Sequence, residues 1–130
     1  MAGESVLLVE DNPQNMTLAR ALLSEKGYDV RMAVDANEAL SLLESFTPVL
    51  ILMDLELPGM DGSALTRRLR ADPRTRASVI VGLSTRTLSG DAERAREAGC
   101  DGYVAKPADL NALAALIAEC LEERKSRLLN

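Results

Sequence analysis

Histidine is absent from the 130 residues, and cysteine occurs only twice, as Cys100 and Cys120. Zinc centres of the usual kind draw on imidazole and thiolate, so the chain lacks the donors for one. Both cysteines fall in helical or helix-flanking sequence and read as core or boundary residues, the ordinary place of a free cysteine. Long apolar runs are missing as well, and none approaches the roughly 20 residues that a membrane-spanning helix needs. Met1 to Ser5 is short and polar, without the charged and apolar regions of a signal peptide, so a cytoplasmic location with no membrane partner is expected. Nor is there a basic excess. Lys and Arg number 15 against 20 Asp and Glu, a net charge of -5, which gives no general attraction to nucleic acid. Cations and basic patches on other proteins are the expected partners.

What is present suits one domain. A length of 130 residues with 47% hydrophobic residues supplies one continuous core and leaves no room for a second. Short apolar runs recur at Val6 to Val9, Val49 to Met53 and Val79 to Leu83. Each is uniformly apolar rather than alternating, as in strands buried on both faces. Between them lie stripes of helical spacing, such as Met16, Ala19, Leu22 and Leu23, or Leu110, Leu113, Ile117 and Leu121. The punctuation agrees. Asn12-Pro13 is a cap followed by proline at a first helical position, Asp35 and Glu38 form a capping box, and Gly27 and Gly99 stand where helices end. The reading is strand 6–10, helix 13–26, strand 29–33, helix 36–45, strand 49–54, helix 62–70, strand 79–84, helix 90–98, strand 102–105 and helix 109 to about 125. Five strand-helix repeats predict a doubly wound α/β fold with a parallel sheet, whose ligands gather at the carboxyl ends of the strands.

Those ends carry a coherent set of groups. Glu10 and Asp11 follow the first strand and Asp54 ends the third, so three carboxylates converge on one small area. Charges of one sign that crowd together cost stability unless a cation sits among them. All the donors are oxygens, which selects a hard ion, Mg²⁺ or else Mn²⁺, that keeps some of its waters. Ser84 ends the fourth strand with a hydroxyl and Lys106 follows the fifth with an ammonium, both suited to phosphoryl oxygens. Taken singly, each residue reads as a turn, a cap or a solvated side chain. Four strand ends out of five delivering complementary groups to one edge make a site.

With these residues in place, the chain resembles the receiver domain of two-component response regulators from about Ser5 to Cys120. The likeness is carried by LLVEDNPQN, ILMDLELPGMDG around Asp54, VIVGLST at the fourth strand and AGCDGYVAKP before the last helix. The resemblance implies a flavodoxin-like sheet with strand order 2-1-3-4-5 and makes Asp54 the phosphoacceptor. It makes Glu10, Asp11 and Asp54 metal ligands, joined by the backbone carbonyl of Glu56. Ser84 and Lys106 become phosphate contacts, Ser84 and Tyr103 the switch pair, and the Lys106-Pro107 bond cis. Glu56 and Arg86 stand where side chains adjust the dephosphorylation rate. Ser84 replaces the more frequent threonine and Thr85 the usual small alanine, and neither change removes the hydroxyl.

The implied activity is that of a signalling switch rather than an enzyme acting on other molecules. A sensor histidine kinase or histidine phosphotransferase would donate the phosphoryl group. A downstream protein would read the face made by the fourth helix, fifth strand and fifth helix, with the protein a monomer or a weak, phosphorylation-linked dimer. The core is expected over about 5–121, with 122–130 extending the last helix or fraying. No linker or DNA-binding domain is expected. Two alternatives are a receiver-like interaction module that works without phosphorylation, and a toprim-like Mg²⁺-dependent enzyme suggested by Asp54-Leu55-Glu56. The acidic net charge and a missing second aspartate weigh against the latter. A haloacid-dehalogenase-type phosphatase would want Asp-x-Asp where this chain has Glu10-Asp11-Asn12.

Overall fold

The computed structural model describes residues 3–57, 60–84, 90–105 and 110–129, with the side chains of Asp91, Leu128 and Leu129 left aside. Strands and helices alternate as β1 (Ser5–Val9), α1 (Pro13–Glu25), β2 (Asp29–Ala33), α2 (Ala36–Leu43), β3 (Leu50–Asp54), α3 (Gly62–Ala71), β4 (Val79–Ser84), α4 (Asp91–Ala98), β5 (Gly102–Ala105) and α5 (Leu110–Leu129). The strands form one parallel sheet in the order β2-β1-β3-β4-β5, the doubly wound flavodoxin-like arrangement expected.

The uniformly apolar runs are β1, β3 and β4, the three inner strands, and the side-chain alternation along them sorts residues into two cores. Leu7, Val9, Ile51, Met53 and Ile80 face α2, α3 and α4, packing on Ala39, Leu65, Leu69 and Ala95. Val6, Leu8, Leu50, Leu52, Val79 and Val81 face α1 and α5, packing on Ala19, Leu23, Leu113 and Ile117. Cys100 joins the first core and Cys120 the second, and burial pushes both thiols up to about 11.

The caps form with one local difference. Asn12 Oδ1 accepts from the amides of Gln14 and Asn15 at 2.9 and 3.1 Å, opening α1. Asp35 Oδ1 accepts from Glu38 N at 2.8 Å, but Glu38 Oε1 takes the amide of Val34, one residue before the cap. Helix α5 runs to Leu129, the extension rather than the fraying of the two outcomes expected for 122–130, and along it Arg124 Nε donates to the Ala77 carbonyl at 2.8 Å and Arg127 lies 3.8 Å from Asp101. These contacts span distant parts of the chain and leave no local periodicity to read.

At the edge where the strands begin, Arg70 at the end of α3 is a clamp. Its Nε donates to Gly99 O at 2.8 Å, Nη1 to Arg76 O and Ser78 O at 2.7 and 2.6 Å, and Nη2 to Asp101 at 2.7 Å. Gly99 has a φ of 118°, and a Cβ there would come within 2.6 Å of Arg70 Cγ. The pair Arg70–Asp101 is mostly buried, with 23% and 21% of the side chains exposed. Arg70→Ala is expected to lower the unfolding free energy by about 2–4 kcal/mol, because it takes the nearer of two guanidiniums from Asp101 and removes the side-chain donor to three carbonyls. Urea titration would show this as a lower midpoint with an unchanged slope.

Candidate functional site

The site begins at the neighbouring ends of β1 and β3. Val9 is paired with Met53, so the next residues, Glu10 and Asp54, leave the sheet side by side. Glu10 is 1% exposed and Asp54 2%, which is unusual for carboxylates and marks a designed position rather than a surface turn. The Glu10 amide donates to Ala33 O at 3.0 Å, and its Oε2 accepts from Asn12 N at 3.1 Å. The residue that caps α1 thereby also orients the first acid. Asp11, between them, is exposed at the mouth.

The loop after β3 is fastened at several points. Asp54 Oδ1 accepts from the Glu56 amide at 2.9 Å, which fixes the carboxylate plane. Leu55 N donates to Leu83 O at 2.8 Å, and Gly62 N donates to Leu55 O at 3.1 Å. Asp61 caps α3 by accepting from Ala64 N at 2.8 Å. Gly62 has no room for a side chain. A Cβ there would lie 2.5 Å from Leu55 Cα and closer still to the carbonyl oxygen of Asp54, so α3 begins in contact with the backbone that carries Asp54.

On the other side, Ser84 is 4% exposed at the end of β4 and is paired with Ala105, the residue before Lys106. Tyr103 is half-buried beside the first core. A cleft of about 600 Å³ runs from Ser84 and Glu56 past Tyr103 to Arg67 of α3 and Arg94 of α4. Gly82, paired with Tyr103, adds no side chain to this region, where a Cβ would meet Leu55 Cδ1 at 3.0 Å and Cys100 Sγ at 3.2 Å.

The expected carboxylates thus come together: Glu10, Asp11 and Asp54 each offer an oxygen within 4.8 Å of the others. Three negative charges on oxygen donors, two of them buried, fit a hard divalent ion completed by waters and do not fit a thiophilic one. Ser84 and Tyr103 lie on the adjoining cleft, whereas Lys106, Pro107 and Arg86 lie outside the described residues. Sequence reasoning passed over Gly62, although it closes the stretch ILMDLELPGMDG. It also passed over Arg67 and Arg94, whose place on the cleft had no signal short of the fold.

The response regulator receiver domain model matches residues 6–118. The chain belongs to the receiver family. Among curated receivers it is 38% identical over 104 residues to the polar-differentiation response regulator DivK of Brucella anthropi, covering 80% of this chain and 85% of that one. Among solved structures it is similar to a putative response regulator from Chloroflexus aurantiacus, with a TM-score of 0.87 and 29% identity over 92% of this chain and 98% of the other. It is also similar to the receiver domain of a sensor histidine kinase from Pseudomonas aeruginosa, with a TM-score of 0.83 and 37% identity over 93% and 99% of the two chains. That receiver was solved with a magnesium ion coordinated in its active-site cleft. Receivers are switches in two-component signalling rather than enzymes in the usual sense.

The crowding of charge makes a test possible. Saturating Mg²⁺ is expected to raise the melting temperature, with a gain of about 2.7 kcal/mol once the ion reaches a hundred times its dissociation constant. Asp11→Asn is expected to melt higher than the parent without metal, because one repelling charge is gone, and to lose most of the Mg²⁺ response.

Proposed function

We propose that this receiver is a stand-alone response regulator that takes a phosphoryl group onto Asp54 with Mg²⁺ held by Glu10, Asp11, Asp54 and the Glu56 backbone carbonyl. The observation that carries the reading is a buried Asp54, its Oδ1 held by the Glu56 amide, within 4.8 Å of two further carboxylate donors. A lone buried aspartate would be a liability, and one set among acids at a sheet edge is a cation-dependent nucleophile.

Bound Mg²⁺ supplies positive charge that offsets repulsion between the acids and an incoming phosphoryl group. An Asp54 carboxylate oxygen attacks the phosphorus of a phosphohistidine on a sensor kinase or phosphotransferase. The phosphorus–nitrogen bond breaks as the new phosphorus–oxygen bond forms, and the imidazole leaves with the electron pair. Glu56 N keeps the carboxylate aimed during this exchange, while Lys106 supplies a further positive charge to the phosphoryl oxygens. The product is an acyl phosphate that water later hydrolyses, at a rate set in part by Glu56 and Arg86.

Ser84 then bonds the phosphoryl group, and Tyr103 turns into the cleft beside it, which reshapes the face of α4, β5 and α5 for a protein target. The cleft of about 600 Å³ bounded by Ser84 and Tyr103 gives that ring somewhere to go. The working unit is a single receiver, with its core over about 5–121. It acts as a monomer or a weak phosphorylation-linked dimer and signals through protein contacts rather than DNA. The match covers 85% of the DivK chain, so that relative is little longer than one receiver, which supports a stand-alone role of this kind.

Incubation with acetyl phosphate and Mg²⁺ is expected to give an alkali-labile, hydroxylamine-sensitive adduct by intact-mass spectrometry, and Asp54→Asn is expected to give none. An adduct that survives in Asp54→Asn would remove Asp54 from its role. With beryllofluoride standing in for the phosphoryl group, Tyr103 ring resonances are expected to shift together with the amide of Ser84. A ring that stays in place would leave the phosphoacceptor intact but discard Tyr103 as the switch.

A further inference from the structure

The sheet edge remote from Asp54, where the strands begin, holds a second polar site. A cavity of about 270 Å³ lies between the loop after α3, the turn from α4 to β5 and the last turns of α5. Arg70, Arg76, Arg124 and Arg127 line it, four of the 15 basic residues, and among the described residues Asp101 is the one carboxylate on its wall. Four positive charges less one leave an excess of three in a chain whose net charge is -5.

Much of this wall is held in place by long-range bonds. Arg70 is fixed by Gly99, Arg76, Ser78 and Asp101, and the same Asp101 oxygen accepts from Ile80 N at 2.9 Å. Arg124 Nε reaches back to the Ala77 carbonyl at 2.8 Å, and Arg127 Nη2 lies 3.8 Å from Asp101 Oδ1. One carboxylate is therefore shared between two guanidiniums, while Arg76 and Arg124 add charge that Asp101 does not balance. The Arg70 fork is spent on these partners, so phosphate oxygens would be met by Arg76, Arg124 and Arg127, with Arg124 anchored through Nε and its terminal nitrogens left to bond an anion.

We propose that this pocket binds a small, multiply charged, phosphate-bearing anion. A volume of about 270 Å³ falls just below the roughly 300–1,000 Å³ of pockets that take drug-sized ligands, so it suits a compact diphosphate. An acidic peptide would need an extended groove to place successive side chains. The pocket uses none of the groups assigned to phosphoryl transfer, so the two readings stand or fall separately.

The test uses inorganic pyrophosphate as the probe, added to the full-length ¹⁵N-labelled chain in low-salt buffer without Mg²⁺. Amide shifts are expected at Ala77, Ser78, Gly99 and Asp101, with Glu10, Asp11, Asp54 and Glu56 unmoved. Arg124→Glu/Arg127→Glu is expected to weaken binding at least tenfold, and Arg127→Gln alone to weaken it less while keeping the parent melting temperature. Absent shifts, shifts confined to the Asp54 edge, or undiminished binding by the double variant would each overturn the proposal. So would hexaglutamate binding as tightly as pyrophosphate, since the surface would then be a site for acidic protein segments.

Discussion

Repulsion among Glu10, Asp11 and Asp54 is the constraint around which this receiver is arranged. Their oxygens gather within 4.8 Å because β1 and β3 are neighbours in register and deliver the acids from adjacent strand ends. The surrounding backbone is committed to holding them there. Asn12 N and Glu56 N each donate to one acid, Leu83 O holds the start of the loop, and Gly62 lets α3 begin against its backbone. Charges forced together in this way favour a bound cation, which is the physical basis of the Mg²⁺ dependence proposed for the site.

β4 links this edge to the rest of the molecule. Ser84 stands at its carboxyl end on the cleft with Tyr103, and Ile80, near its start, exchanges backbone and side-chain hydrogen bonds with Asp101. The Arg70 clamp secures the end remote from the acids, where no switching is assigned. The opposite edge keeps an open cleft beside a half-buried tyrosine. Rigidity at one end and space at the other are what a switch confined to α4, β5 and α5 would require.

Much of this was legible in the sequence because the signals are local. Three uniformly apolar runs announced the inner strands, and acids directly after two of them announced the site. The remainder depended on contacts between distant residues. Arg124 meets Ala77 across 47 positions and Arg70 meets Asp101 across 31, so the basic pocket does not follow from periodicity, and the sequence left extension and fraying of α5 both open. Gly62 was hidden differently: a glycine after an aspartate reads as a turn, and only the approach of α3 to the Asp54 carbonyl makes it obligatory.

The crowded carboxylates are proposed to make Asp54, and no other residue, a Mg²⁺-dependent phosphoryl acceptor. Borohydride reduction after treatment with a phosphodonor converts an aspartyl phosphate to homoserine, which peptide mass mapping then locates. Homoserine at position 54, formed with Mg²⁺ and absent without it, is the predicted result. Homoserine at another aspartate, or equal yield at position 54 when Mg²⁺ is withheld, would contradict the account.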